Sequence, residues 1–374
     1  MSSVRIEHIS KSFLGKRKVL DDVSLEVTDG SVTSILAPTG FGKTTLLRII
    51  AGIEKPDKGK VCFGEKNVTE LPAQKRNIAM VFQSFALYPN MTVYENIASP
   101  LKIMRLPRNS ITKIVQNQAE FLGIKGLLNR YPRELSGGEK QRVAIARALA
   151  KGADVYLLDE PLTNLDYKIR ESMRMELKKI FREIRSTVIY ATPDPLEVLS
   201  MSTHVAFLWN GKIGQYGPAL EVYHRPKNTA VGTYYSYPPM NLIDCHLIEK
   251  NGRYYLRSYD EIDLEVTHFK DLLHEESYIL GLRPNDLRLT DEGKNDTISL
   301  LPTVMLTEVI GSETIVYLKY RNSELKMLLL KLIKYDVGQR VKVFFNPCNL
   351  YIFGKKSREL ITKYLKIRQK GSCG

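Results

Sequence analysis

Cysteine is scarce and scattered in this chain. The four among 374 residues, Cys62, Cys245, Cys348 and Cys373, form no CxxC pair and no metal-ligand spacing. This argues against a disulfide framework and leaves the reduced thiols of a cytosolic protein as the expectation. Long hydrophobic runs are missing too. The longest, MLLLKLI at 327–333, falls far short of the roughly 20 apolar residues that span a bilayer. The N-terminal stretch MSSVRIEHISKSF holds no apolar signal core. Service to a membrane would therefore pass through a partner. Internal repeats and low-complexity segments are also absent.

The formal charge is +14, yet no basic tract with interleaved aromatics accompanies it, only a modestly basic tail after Gly354. Spread-out lysines and arginines read as a solvated surface compatible with anionic lipid headgroups, and no nucleic-acid partner is expected. Hydrophobic residues at 43% and charged residues at 26% are ordinary for a globular protein. The length favours two domains.

Periodicity gives the order of elements. Residues 4–9 and 19–27 alternate apolar with polar, as half-buried strands do. SVTSILAP reads as a buried strand, TTLLRIIAGI as a helix, and KVCFG and IAMVFQ as further strands. From Tyr88 to Arg133 the pattern is helical, with breaks at Pro107 and Gly123. KQRVAIARALA is a helix, VYLLDE a buried strand, LDYKIRESMRMELKKIFREI a long helix and STVIYAT a strand. Strands alternating with helices predict a mostly parallel α/β sheet over 1–235, with a helical subdomain at about 88–153. After the Tyr- and Pro-rich stretch YYSYPPMNLI the runs become short and strand-like, which predicts an all-β domain, a small barrel, over 236–374.

APTGFGKT, residues 37–44, sits between a strand and a helix, the context a phosphate-binding loop requires. N–H groups of Thr39, Gly40, Phe41, Gly42 and Thr45, with the positive helix end, can wrap phosphates. Lys43 would reach the β- and γ-phosphates, and Thr44 would offer its hydroxyl to Mg²⁺. The pattern wants glycine where Ala37 stands; a methyl is tolerable there only at negative φ. VYLLDE ends in two adjacent carboxylates, costly at a buried strand tip unless they serve an ion or a proton transfer. Asp159 would hold Mg²⁺ and Glu160 would polarise the attacking water. LSGGEKQRVAIARAL, residues 135–149, sets Ser136, Gly137, Gly138 and Glu139 at a helix start, offering donors to an anion without a lysine.

LSGGE resembles the signature motif of the ABC ATPases, with Glu139 where glutamine is more usual. In that family the signature contacts the γ-phosphate of ATP held by the partner subunit. VFQSFALYPNMTVYENI is similar to the glutamine-loop segment, which implies that Gln83 touches Mg²⁺ and the attacking water and leads into the subdomain that grips a permease. Phe13 stands where the family places an aromatic ring on adenine, and Asp166, in LTNLD, matches the loop linking the two sites across the dimer. GLRPNDLRL and TEVIGSETIVYL resemble the OB-like, TOBE-type β-barrel regulatory domain that follows the ATPase in maltose-type carbohydrate importers. The resemblance implies an ATP- and Mg²⁺-dependent motor at the cytoplasmic face of the membrane. It would energise uptake of a carbohydrate or a polyol such as glycerol, with permease subunits, a second ATPase subunit and, indirectly, an extracytoplasmic binding protein. A non-hydrolysing scaffold subunit, and a motor for polyamine, iron or another anion, are the alternatives.

One position departs from the family. Where it carries a histidine after the last core strand, YATPDPLEV has Pro193. Proline has neither an N–H nor a side-chain donor. His204, the nearest later histidine, lies beyond or within the next helix. Pro193 and Ala37 concern the nucleotide on this chain's own loop, while the signature, which serves the partner's, is intact. That asymmetry, and a wording closer to one member of paired importer ATPases, implies a heterodimer.

Overall fold

In a computed structural model of the chain, the described residues are 3–13, 17–184, 186–258, 262–291 and 297–364. They divide into two compact units, Met1–Leu220 and Glu221–Gly374. The first unit opens with β1 (Val4–Phe13), β2 (Arg17–Val27), β3 (Val32–Leu36) and α1 (Lys43–Ala51). β4 (Lys58–Phe63), β5 (Lys66–Asn67) and β6 (Ile78–Val81) follow, then α2 (Val93–Ile103), α3 (Arg108–Phe121) and α4 (Gly137–Ala150). The unit closes with β7 (Val155–Asp159), α5 (Tyr167–Glu183), β8 (Thr187–Thr192), α6 (Pro195–Met201), β9 (His204–Trp209) and β10 (Lys212–Pro218).

Two sheets result. One is antiparallel, in the order β2-β1-β4-β5; the other runs β10-β9-β3-β8-β7-β6, parallel from β9 to β6. β3, β7 and β8 are buried at every residue, as strands covered on both faces must be. Alternate side chains serve different cores. Tyr156, Leu158, Val188 and Tyr190 join the helices α2–α5, whereas Val155, Leu157, Ile189 and Ala191 join α1 and the antiparallel sheet.

The breaks expected at Pro107 and Gly123 fall where helix α3 begins and ends: Pro107 is its N-cap, and Gly123 follows its end at φ 66°. Pro100 lies inside α2. The carbonyl it cannot serve, that of Asn96, instead accepts the Ser99 hydroxyl at 2.8 Å. Among the described residues no helix is long and apolar enough to cross a membrane.

The second unit is all-β apart from short helical turns. α7 (Ala219–His224), in which the divide falls, and α8 (Thr229–Tyr234) precede β11 (Asn241–Lys250), β12 (Arg253–Ser258) and β13 (Asp263–Glu265). Then come β14 (Ser277–Leu282), β15 (Ile298–Leu300), β16 (Thr303–Ile310), β17 (Glu313–Tyr320), β18 (Ser323–Leu329), β19 (Val343–Phe345), β20 (Tyr351–Gly354) and β21 (Leu360–Lys363). They form sheets β13-β12-β11-β14-β20-β21, β16-β17-β18 and β15-β19. All three sheets contribute to one core, through residues such as Leu280, Val316 and Phe345. Where the sequence reading expects a junction at 235/236, residues 221–235 go with the β unit. Arg283 stacks on Tyr223 at 3.6 Å and donates to the carbonyls of Tyr223 and Tyr235. Leu360 N–H donates to Lys227 O at 2.8 Å. Cys62 and Cys245 are buried free thiols and Cys348 a half-buried one; Cys373 lies outside the described residues.

Candidate active site

Parallel register lines up four strand ends. Leu36 pairs with Thr192, Asp159 with Ala191, and Val81 with Leu158. Ala37, Pro193, Glu160 and Gln83 therefore follow one another along a single edge, the carboxyl end of the sheet, where open α/β sheets bind ligands.

The loop from Ala37 to Thr44 joins β3 to α1. Gly40 at φ 84° and Gly42 at φ 97° shape it in a region that L-residues avoid. A Cβ on Gly42 would also lie 3.0 Å from Val19 Cγ1 and 3.1 Å from Val19 O, so that position is closed by space as well. Ala37 keeps a negative φ and is buried, which meets the condition for its methyl. Its N–H donates to Thr192 O at 3.3 Å. The Phe41 ring rests 4.9 Å from that of Trp209 on β9. Thr39 is exposed and Thr45 half-buried in the first turn of α1.

Lys43 is 3% exposed. Its ammonium has three donors, and they reach Ala37 O at 2.8 Å, Pro38 O at 3.0 Å and Glu160 Oε1 at 2.9 Å. Thr44 Oγ1 donates to Asp159 Oδ1 at 2.9 Å. Burial pushes the Asp159 carboxyl above its ordinary range, with the adjacent Glu160 adding to it and the Thr44 hydrogen bond opposing it. A hydroxyl and a carboxylate this close are hard oxygen donors that suit Mg²⁺, and a cation would relieve the charge that burial penalises. Glu160 holds a left-handed φ of 45° without being glycine. It is pinned there by its N–H to Ala191 O at 2.9 Å, by Lys43, and by the Thr163 hydroxyl at 3.3 Å. Strain kept at such a place is a mark of functional sites.

Gln83 is exposed on the loop after β6, and its carbonyl accepts from Asn164 Nδ2 at 3.0 Å. Asn164, Arg147 and Asn96 all hold this loop, and sequence reasoning passed over all three. Their partners are main-chain groups, which carry no residue signature.

Ser136 caps α4. Its oxygen accepts from Glu139 N–H at 3.3 Å, while Ser136 N–H donates to Glu139 Oε2 at 2.7 Å. Glu139 thus closes a capping box, a position glutamate and glutamine fill alike. The Ser136 N–H, and after it the Ser136 hydroxyl, hold its carboxyl below the usual range. A Cβ on Gly138 would meet Ile169 Cγ2 at 2.9 Å, and one on Gly137 would meet Leu165 Cδ2 at 3.4 Å. The signature turn therefore seats on the residues flanking Asp166. Asp166 itself caps α5 by accepting from Ile169 N–H at 3.0 Å.

Phe13 ends β1, 43% exposed as a residue and with the Lys11 ammonium 5.4 Å from its ring centroid, so it is not a core phenylalanine. Pro193 lies between β8 and α6, beside Ala37. His204 opens β9 and pairs with Thr33, near the opposite end of β3 from the phosphate loop. Three residues of strand, roughly 10 Å, separate it from the site edge. Two hydroxyls at the end of β8, just before Pro193, converge on a buried acid of α6: Tyr190 and Thr192 donate to Glu197 Oε2 at 2.7 and 2.6 Å. Burial raises the Glu197 pKa.

A glycine-shaped loop with a buried lysine, facing a Thr–Asp pair and a strained glutamate at a parallel sheet's carboxyl edge, defines a P-loop nucleotide hydrolase. The family model for ABC transporters matches residues 20–163. The trehalose/maltose import ATP-binding protein MalK of Thermococcus litoralis is 39% identical, over 96% of this chain and 100% of its own length. The oligosaccharides import ATP-binding protein MsmX of Bacillus subtilis is 36% identical, over 96% and 99%. The sn-glycerol-3-phosphate import ATP-binding protein UgpC of Brucella abortus is 35% identical, over 96% and 99%. Among solved structures, cbiO1 of Clostridium perfringens, part of the ABC transporter complex cbiONQ, superposes with a TM-score of 0.54 at 30% identity. It covers 59% of this chain and 90% of that one. The chain belongs to the ATP-binding proteins of ABC transporters, a family of transport ATPases.

Proposed function

We propose that this chain is the motor subunit of an importer for a carbohydrate or polyol, one unequal half of an ATPase pair at the cytoplasmic face of a membrane. The names of three relatives, importing trehalose/maltose, oligosaccharides and sn-glycerol-3-phosphate, support the substrate class. Such a subunit works on transmembrane permease subunits fed by an external binding protein, with residues 236–374 acting as a regulatory domain.

Each site residue then has a role. Phe13 stacks on adenine, and Thr39, Gly40, Phe41, Gly42 and Thr45 line the phosphates. Lys43 exchanges its carbonyl and Glu160 contacts for phosphate oxygens, which releases Glu160 to polarise water. Thr44, Asp159 and Gln83 would hold Mg²⁺, which when bound neutralises charge on the phosphates. Ser136, Gly137 and Gly138 face the partner's nucleotide, Glu139 braces their turn, and Asp166 lies between the two sites.

The inequality rests on one observation. Pro193 follows Thr192, which pairs with Leu36 just before the phosphate loop, so this departure falls on the nucleotide this chain holds. Proline supplies no donor there, and His204 sits toward the other end of β3. The signature turn, by contrast, has a complete capping box between Ser136 and Glu139. We expect the chain alone to bind ATP but turn it over slowly, and Pro193→His to raise the rate. Steady-state ATPase assays on the purified chain across protein concentrations test this. Brisk, Lys43-dependent turnover by the unmodified chain alone would overturn the unequal pair.

A further inference from the structure

The loop that carries Gln83 contains two consecutive non-glycine residues in the left-handed region, Phe85 at φ 64° and Ala86 at φ 48°. Such a pair does not persist unless something outside it fixes the turn. Here that is Arg147, on the signature helix α4. Its Nη1 donates to Ala86 O at 2.7 Å and its Nη2 to Phe85 O at 3.0 Å, and its guanidinium lies 5.6 Å from the centre of the Tyr88 ring. Arg147 is half-buried, and burial lowers its pKa with no carboxylate among the described residues to offset the charge. A desolvated cation spent on two carbonyls of one turn is a costly arrangement for packing alone. The fork geometry suits it: a guanidinium presents its donors in one rigid plane, whereas an ammonium is a point charge on a flexible stem.

The loop is tied on either side of that turn. Asn164, four residues past Glu160, donates to Gln83 O at 3.0 Å. Asn96 of α2 accepts from Tyr88 N–H at 2.8 Å and donates to Tyr88 O at 3.1 Å and Met91 O at 3.0 Å. Between these fixed points Arg147 determines the path of residues 84–87, and so the direction in which Gln83 is offered.

We propose that Arg147 is a positioning residue. It holds the strained turn after Gln83 against the signature helix, so that Gln83 meets the bound magnesium nucleotide and movement of α4 is passed to that contact. This rests on the role given to Gln83 above.

The test is the magnesium-dependent part of ATP affinity, taken as the ratio of dissociation constants measured with EDTA and with Mg²⁺. Trp209 fluorescence of the full chain reports binding. Gln83→Ala and Arg147→Met should each shrink the ratio about 10-fold or more, the range for outer partners of a metal ligand, with Mg²⁺-free affinity unchanged. The double variant should lose no more than Gln83→Ala alone. A merely structural arginine would weaken both measurements and would add to Gln83→Ala, and either result overturns the proposal. An unaltered ratio in Gln83→Ala refutes the reading of Gln83 and takes the proposal with it, an outcome distinct from failure of the Arg147 variants alone. If Arg147→Met does not fold, Arg147→Lys, which keeps the charge but lacks the planar fork, should show the same pattern at smaller amplitude.

Discussion

The contact between Lys43 and Glu160 makes a prediction about stability that is separate from catalysis. Lys43 is 3% exposed and Glu160 6%, and their 2.9 Å ion pair is held away from water. Lys43→Met strands the carboxylate, leaving it the Thr163 hydroxyl at 3.3 Å. Breaking a buried pair on one side costs about 3–5 kcal/mol, whereas replacing both partners by neutral groups is often close to neutral. In the double variant Lys43→Met, Glu160→Gln the main loss is the pair of bonds to Ala37 O and Pro38 O, about 1 kcal/mol each. Adding Glu160→Gln to Lys43→Met should therefore recover about 1–3 kcal/mol of the single variant's cost. For a unit of this size 1 kcal/mol moves Tm by about 2–4 °C, so Lys43→Met alone should lower it by roughly 6–20 °C. A chain of two units need not unfold in one step, so the probe must belong to the right one. Trp209 is the sole tryptophan and stacks on the phosphate loop through Phe41, so its emission follows that unit. Urea and thermal unfolding without nucleotide or Mg²⁺ give all four corners of the cycle. A Lys43→Met variant within about 1 kcal/mol of the parent, or strictly additive costs, would refute the reasoning.

Two further outcomes follow from the caps and the buried acid. Ser136→Ala should cost about 1 kcal/mol through the lost N-cap, while Glu139→Gln should change stability by only a few tenths; urea unfolding followed by Trp209 checks both. Glu197 has a folded-state pKa above its unfolded value because of burial. The stability it contributes is therefore full below the unfolded value, near pH 4, and is lost as pH rises through the folded value. Glu197→Gln still accepts from Tyr190 and Thr192 and has no proton to lose. Its Tm should gain on the parent's as pH rises above about 4, and parallel curves would rule the effect out.

The motifs legible in the sequence are those whose work needs a particular side chain at a particular strand end: Lys43, Thr44, Asp159, Glu160 and the Ser136 turn. Alternation gave away β1, and an unbroken apolar run gave away β7, because burial on one or two faces writes directly into residue type. What stayed hidden was written into main-chain groups. The links from Arg147 and Asn164 to their loop span 61 to 81 residues and end on carbonyls, which look the same whatever residue bears them. The left-handed φ of Glu160 could not be read either, since glutamate gives no hint of it. The division at 220/221 was hidden for a related reason. Residues 221–235 join the β unit through Arg283, which stacks on Tyr223 and donates to the carbonyls of Tyr223 and Tyr235, and through the Lys227 carbonyl.

The tether of Lys43 has a consequence for which residues position 37 can accept. The ammonium grips Ala37 by its carbonyl at 2.8 Å, a handle every amino acid possesses, and Ala37 N–H is spoken for by Thr192 O. The position is thus recognised through its backbone while its Cβ is merely housed. Any residue small enough for the buried space and content with negative φ leaves the grip unchanged, so glycine there is a habit of the motif that this fold does not enforce. Gly42, closed by Val19 and by its own φ of 97°, has no such latitude. Two glycine positions of one motif, five residues apart, are under unequal constraint, and the chain departs from the pattern at the one that is free to vary.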